Sequence, residues 1–125
     1  MADAVTSQTL VDTAKRTIMK FTSVSDGTGE SAVTKVDVST LVGAPSKVRI
    51  DRIIATASGM SVAILWDADT DVLAWNVRAD SEIDFCLGET GILNNAGTGV
   101  TGDIKFTTTG HTAGDFYSII LFMSK

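Results

Sequence analysis

Reactive side chains are few in this chain and lie far apart. It holds one His, His111, and one Cys, Cys86. A hydrolytic triad needs a nucleophile held against a base that a third group orients. His111 stands between Gly110 and Thr112 with Asp115 close behind it, but no Ser or Cys occupies a strained elbow that would activate it. Cys86 lies in the apolar run Ile83-Asp84-Phe85-Cys86-Leu87 and reads as a buried small hydrophobe. Being alone, it has no partner for an internal disulfide.

Four further clusters suggest chemistry and then lose the argument. Asp67-Ala68-Asp69-Thr70-Asp71 resembles the start of a calcium loop. Such a loop needs Gly at its sixth position and a bidentate Glu at its twelfth, where this chain has Val72 and Arg78. A solvated turn is the better reading, with opportunistic calcium on the three carboxylates left open. Gly97-Thr98-Gly99-Val100-Thr101-Gly102 matches a dinucleotide fingerprint, yet it runs into a strand and not into the helix whose N-terminus must meet the pyrophosphate. Asp80, Glu82 and Asp84 could flank a sugar bond as paired carboxyls, but alternation puts Glu82 on a water-facing strand surface. Trp66, Trp75 and Tyr117 could stack a sugar; packing in a core is the simpler account. No metal site, cofactor site or catalytic residue is assigned.

The bulk properties narrow the class further. The 125 residues are 44% hydrophobic and 20% charged, which suits one globular domain with a real core. The net charge of −5 argues against a nucleic-acid backbone as partner. Residues 15–52 hold seven basic against four acidic residues, whereas 67–115 hold nine acids against Arg78 and Lys105. Solvated strand faces explain this asymmetry, and so does a polar molecule whose two ends suit different neighbours. No apolar run is long enough to cross a bilayer, and residues 1–9 lack the features of a signal peptide. A soluble protein made in a cytoplasm is expected.

The elements that would position these residues are strands. Eight segments alternate apolar and polar residues between Gly, Asp, Asn and Thr turns: 16–24, 31–38, 47–57, 61–66, 71–77, 82–87, 103–109 and 115–123. Asp26-Gly27 marks a hairpin turn, and the stretch 88–102 reads as a long Gly/Asn loop. In the third segment Val48, Ile50 and Ile54 are expected to face the core. In the fifth, Leu73, Trp75 and Val77 share a face, with Trp66 and Trp75 placed to pack across a hairpin. The last segment is apolar on both sides, which implies a central strand or one covered by another subunit. The fold class is therefore all-β: an antiparallel two-sheet sandwich of about eight strands, jelly-roll or Greek-key-like, spanning 15–125. Residues 1–14 read as an N-terminal arm, with a weak helix possible over 8–15.

Several phrases, taken in order, resemble small virion structural proteins of tailed bacteriophages. They are Lys20-Phe21-Thr22, 25–31, Lys35-Val36-Asp37-Val38, 48–53, Leu65-Trp66-Asp67-Ala68, Val72-Leu73-Ala74-Trp75, 93–104, Phe106-Thr107-Thr108 and Gly114-Asp115. The resemblance covers the chain from about residue 16 onward. It implies a non-enzymatic particle component, of which capsid decoration (cement) proteins are the type that these residues favour. The implied partner is the major capsid protein, with a closed homo-oligomer, preferably a trimer, and a location on the capsid surface of the virion. Neither nucleic acid nor a membrane is an expected partner. The residues assigned to protein contacts are Val5, Leu10 and Val11 of the arm, Asn94, Asn95, Thr98 and Val100 of the loop, and the basic cluster Lys47, Arg49 and Arg52. Two alternatives stand beside this reading: a neck or tail component, and a carbohydrate-binding module exposing Trp66 or Trp75.

Overall fold

Alternating side chains with short turns dictate strands, and strands with one apolar side must stack in pairs of sheets. The computed structural model describes residues 4–125 except 26, 28, 29, 87–90 and 111, and describes residues 4, 5, 81, 85 and 86 by backbone alone. Its strands are β1 (Ala4–Asp12), β2 (Arg16–Val24), β3 (Val33–Val36), β4 (Arg49–Ser58), β5 (Ser61–Trp66), β6 (Val72–Val77), β7 (Ser81–Cys86), β8 (Ile104–Thr109) and β9 (Phe116–Ser124). One sheet runs β1-β2-β9-β4-β7 and the other β3-β8-β5-β6, and all pairings are antiparallel.

The pairing is nested. β2 pairs with β9, β3 with β8, β4 with β7 and β5 with β6. The two partner numbers add to almost the same total in all four pairs. The chain is thus one long hairpin with its tip at Asp69-Thr70, rolled so that alternate pairs fall in opposite sheets. That is the jelly-roll arrangement, and it sharpens the all-β sandwich expected from sequence.

The segment read as an arm is the edge strand of this roll. Residues 4–12 pair along β2, so the helix considered for 8–15 is not formed. The alternation was hard to see because Thr6 through Leu10 are exposed on both sides of the strand. Nothing is stacked against that stretch to demand apolar residues. A bulge between Thr9 and Val11 further breaks the period.

Bulges also explain the expectations about inward faces that fail. In β4 the ladder slips between Ile50 and Arg52, and the phase of the side chains shifts with it. Val48 and Ile50 are buried as expected, but Ile53, Ala55 and Ala57 follow them inward and Ile54 turns outward. In β5 a slip between Ile64 and Leu65 places Trp66 opposite Val72 and Trp75 opposite Ile64. The tryptophans are therefore not cross-strand partners, and Leu73 is exposed while Val77 is buried. The Asp26-Gly27 turn and the burial of Cys86 and Leu87 lie outside the described residues.

The core is aromatic at its centre. Phe106 of β8 meets Phe21 of β2 at 5.2 Å and Tyr117 of β9 at 5.9 Å between ring centroids, both edge to face. These rings join the two sheets. Beside them lies a buried polar network that alternation alone would have sent to water. Lys35 bonds ionically to Glu30, with their side chains only 3% and 6% exposed. The Tyr117 hydroxyl donates to the other Glu30 oxygen, and the Glu30 backbone exchanges bonds of 2.9 Å with Thr108. Lys35 also lies 6.0 Å from the Phe106 ring centroid. Burying a carboxylate and an ammonium is tolerable only when each keeps such partners.

Lys35→Met leaves Glu30 buried without its counter-charge, so the expected loss of stability is about 3–5 kcal/mol. Urea denaturation checks it. Adding Glu30→Gln to the same chain recovers part of the loss, because the uncompensated charge is then gone.

Candidate functional site

The described part of the loop between β7 and β8, residues 91–103, is fastened to the body of the protein at both ends. At its start Ile92 forms a two-bond bridge with Ile50 of β4, at 3.0 and 2.6 Å. At its far end it grips the hairpin tip. The Asp69 amide donates to the Thr98 carbonyl at 3.1 Å, the Thr101 amide to the Asp67 carbonyl at 3.2 Å, and the Asp67 amide to the Asp103 carbonyl at 3.0 Å. Gly99 and Gly102 are required by this docking. Both have φ in the left-handed region, at +79° and +90°. A Cβ at Gly99 would lie 2.1 Å from an Asp69 carboxylate oxygen, and one at Gly102 would lie 2.0 Å from the Ser46 carbonyl oxygen. Close approach thus explains the second and third glycines of the G-x-G-x-x-G run, whereas a Cβ at Gly97 would meet open space, and strand β8 follows the run.

The acidic tip is partly neutralised from within. Lys105 of β8 reaches Asp67 at 2.6 Å and Asp71 at 3.5 Å, and the Thr101 hydroxyl donates to Asp67 at 2.6 Å. The direct bond from Lys105, then that from Thr101, holds the Asp67 carboxyl below its ordinary range. Asp67 in turn holds the Lys105 ammonium above its own. The lysine occupies the position a cation would take between these two carboxylates. Nearby, burial pushes the Asp103 carboxyl up, against the 3.0 Å bond it accepts from the Val38 amide. Among the described residues, no group of three or more His, Cys, Asp or Glu is arranged to hold a metal ion.

Three of the residues assigned to protein contacts come together. Lys47, Arg49 and Asn94 line a cleft of about 370 Å³, together with Val48, Leu93, Ser124 and Lys125. Leu93 stands at its edge, 65% exposed. Asn94 is fixed by its own turn, its Oδ1 accepting from the Ala96 amide at 3.0 Å. The Asn94 Nδ2 is itself buried and has no hydrogen-bond partner. Arg49 is steadied by Asp51 at 2.7 Å. Lys125 is held on three sides, by Asp12 at 2.5 Å and by the Thr13 and Val42 carbonyls at 2.6 and 2.8 Å. The first of these holds the Asp12 carboxyl below its usual range. Sequence reading missed Lys125 and Asp12 as a pair because they are joined only by the fold.

The remaining assigned residues are dispersed. Arg52 points away from the cleft, on the outer side of the five-stranded sheet, bonded twice to Asp84 at 2.9 and 2.8 Å. That pairing lowers the Asp84 carboxyl. Asn95 is exposed, and Thr98 and Val100 sit by the hairpin tip, also exposed. Leu10 is 45% exposed at the β1 bulge, and Val11 is half-buried opposite Ile18. The side chain of Val5 and all of His111 lie outside the described residues. Trp66 and Tyr117 are buried, at 0% and 1% exposure, so the three-aromatic platform considered for sugars is not assembled.

Compared with known proteins, the chain matches no family model and no curated sequence. Its function must therefore be argued from its own residues.

Two outcomes follow from the hairpin tip. Asp67 titrates lower folded than unfolded, so its contribution to stability is full above the unfolded carboxylate value, about 3.9, and is lost as pH falls through the lower folded value. Melting curves of the native chain and of Lys105→Met should thus differ most near neutral pH and converge in acid. Gly99→Ala should lower the melting temperature at neutral pH, since its Cβ collides with Asp69 in a backbone conformation that Ala resists.

Proposed function

We propose that this protein is a non-enzymatic virion structural component, a capsid decoration (cement) protein that stabilises a phage head by bridging capsid subunits. The observation that carries the reading is the cleft at Lys47, Arg49 and Asn94. It combines cationic side chains with an exposed Leu93 on a loop that is fastened down. Such a surface suits an acidic, partly apolar segment of a shell protein, and it needs no movement to receive it. Arg49 and Lys125 are each held in place by a carboxylate of the same chain, so the cleft presents its cations in fixed positions. The phrases that resemble phage virion proteins supply the particle context, and the jelly roll is a fold that viral shells use among other proteins. Each contact would be modest, and the many copies on a lattice would supply the strength.

Placement at the neck or tail is the second reading, since the same cleft would serve a ring of fewer partners. The copy number of this chain per purified particle separates the two. A ratio near one to the major shell protein, or near one oligomer per facet, is the expected result. A ratio lower by about tenfold or more moves the protein to the neck or tail, because closed rings hold few copies. Absence from particles overturns both.

A further inference from the structure

Strand β9 has an outward side that its position does not explain. A sheet with one face on the core ordinarily turns polar residues to water on the other. Tyr117, Ile119, Leu121 and Met123 of β9 fill the core, and Phe116, Ile120 and Phe122 point the opposite way. The register sets Val24 and Ile18 of β2 beside Phe116 and Phe122, and Ile54 of β4 beside Ile120. Val24 is 49% and Phe116 44% exposed. The second sheet packs on the other face, so Val24 and Phe116 stay exposed, Ile120 and Phe122 are half-buried, Ile18 is buried, and the exposed Ser118 stands between Phe116 and Ile120.

The flanks of the strip carry opposite charges. On β2, Arg16 and Lys20 alternate with the buried Thr17, Met19 and Phe21, which puts them on the outer side. On β7, Glu82 and Asp84 are exposed on either side of Ile83, which packs against the core. One row of the ladder reads Gln8, Lys20, Ile120, Ile54, Asp84 from β1 to β7. Inside the neutral edge residue, it sets a cation and an anion on either side of two isoleucines.

We propose that a second copy of this chain packs on this face about a two-fold axis parallel to β9. Rotation about that axis lays the β2 flank of each copy over the β7 flank of the other. Lys20 then meets Asp84 of the second copy, and Ile120 meets Ile54 of the second copy. An axis across the strands would instead set β2 on β2 and press Arg16 and Lys20 against their own kind, so the charge pattern selects the first geometry and rejects the second. The contact is self-complementary, as a two-fold interface must be. Arg52, held by Asp84 and 5.3 Å from the Phe122 ring centroid, lies beside it in the neighbouring row. This pairing does not depend on the virion reading, and it replaces the threefold association expected from the resemblance with a twofold one.

Sedimentation equilibrium of the purified full chain tests the proposal. The native chain is expected to be dimeric. Lys20→Glu should weaken association at least about tenfold by setting like charges together. Lys20→Glu with Asp84→Lys in one chain restores opposite flanks and should bring the dimer back. Phe116→Ser trims an exposed position, leaves the core untouched and should also weaken the dimer. Cooperative melting of each monomeric variant, independent of its concentration and equal to that of the native chain diluted until it dissociates, separates lost association from lost folding. A native chain that stays monomeric, forms a trimer, or dimerises as tightly with Lys20→Glu overturns the proposal. Particle copy number is a separate measurement, so failure of the virion reading would not be mistaken for failure of this one.

Discussion

The structure depends on distant segments finding one another in a single register. β9 holds the middle of the five-stranded sheet by pairing with β2 on one side and β4 on the other. Neither pairing is local, and loop-closure entropy opposes each until the ladder contacts repay it. Nesting eases the problem, because each inner pair brings the ends of the next outer pair closer. The short β5–β6 turn at Asp67–Asp71 is where that sequence of closures is shortest. Its grip by Lys105 and by the loop residues Thr98 and Thr101 stabilises the point about which the rest is arranged.

Charge in this molecule is largely used for internal fastening. Lys105 secures the tip, Lys35 and Glu30 sit with Tyr117 between the sheets, and Lys125 ties the β1–β2 turn to the loop that carries Val42. Lys105 and Lys125 join segments that are remote in sequence, and Lys35 does so through Glu30, which also takes the Tyr117 hydroxyl. The result is a division of labour: these paired groups hold the scaffold, and the proposed contacts are left to a cleft and a sheet face.

The class of fold was legible because alternation and turn chemistry are local signals, and eight of the strands stand close to where those signals put them. Side-chain direction was less legible wherever a bulge intervened. Ile54 and Leu73 follow the simple period in sequence, but the extra residue that β4 carries at Asp51 and β6 carries at Ala74 reverses the phase of the strand on one side of it. The cleft was half visible: Lys47, Arg49 and Asn94 could be singled out as contact residues, while Lys125 and Ser124 join them only because β9 lies against β4. Lys35 gave no warning of burial, since an ammonium on a short strand reads as solvated until Glu30 and Tyr117 are seen around it. Opposite charges on β2 and β7 were visible as isolated residues; that they bound one apolar strip required the strand order.

β1 stands outside the nested scheme. It touches the sheet along β2 alone, is bare on both sides from Thr6 to Leu10, and is secured at its end by Asp12. The eight-strand roll keeps all its pairings without it. β1 is therefore a selvedge, a border woven onto a cloth that is already closed. Insertions, shortening or fusion of other sequences at that border would alter what the molecule can be attached to while leaving the weave intact.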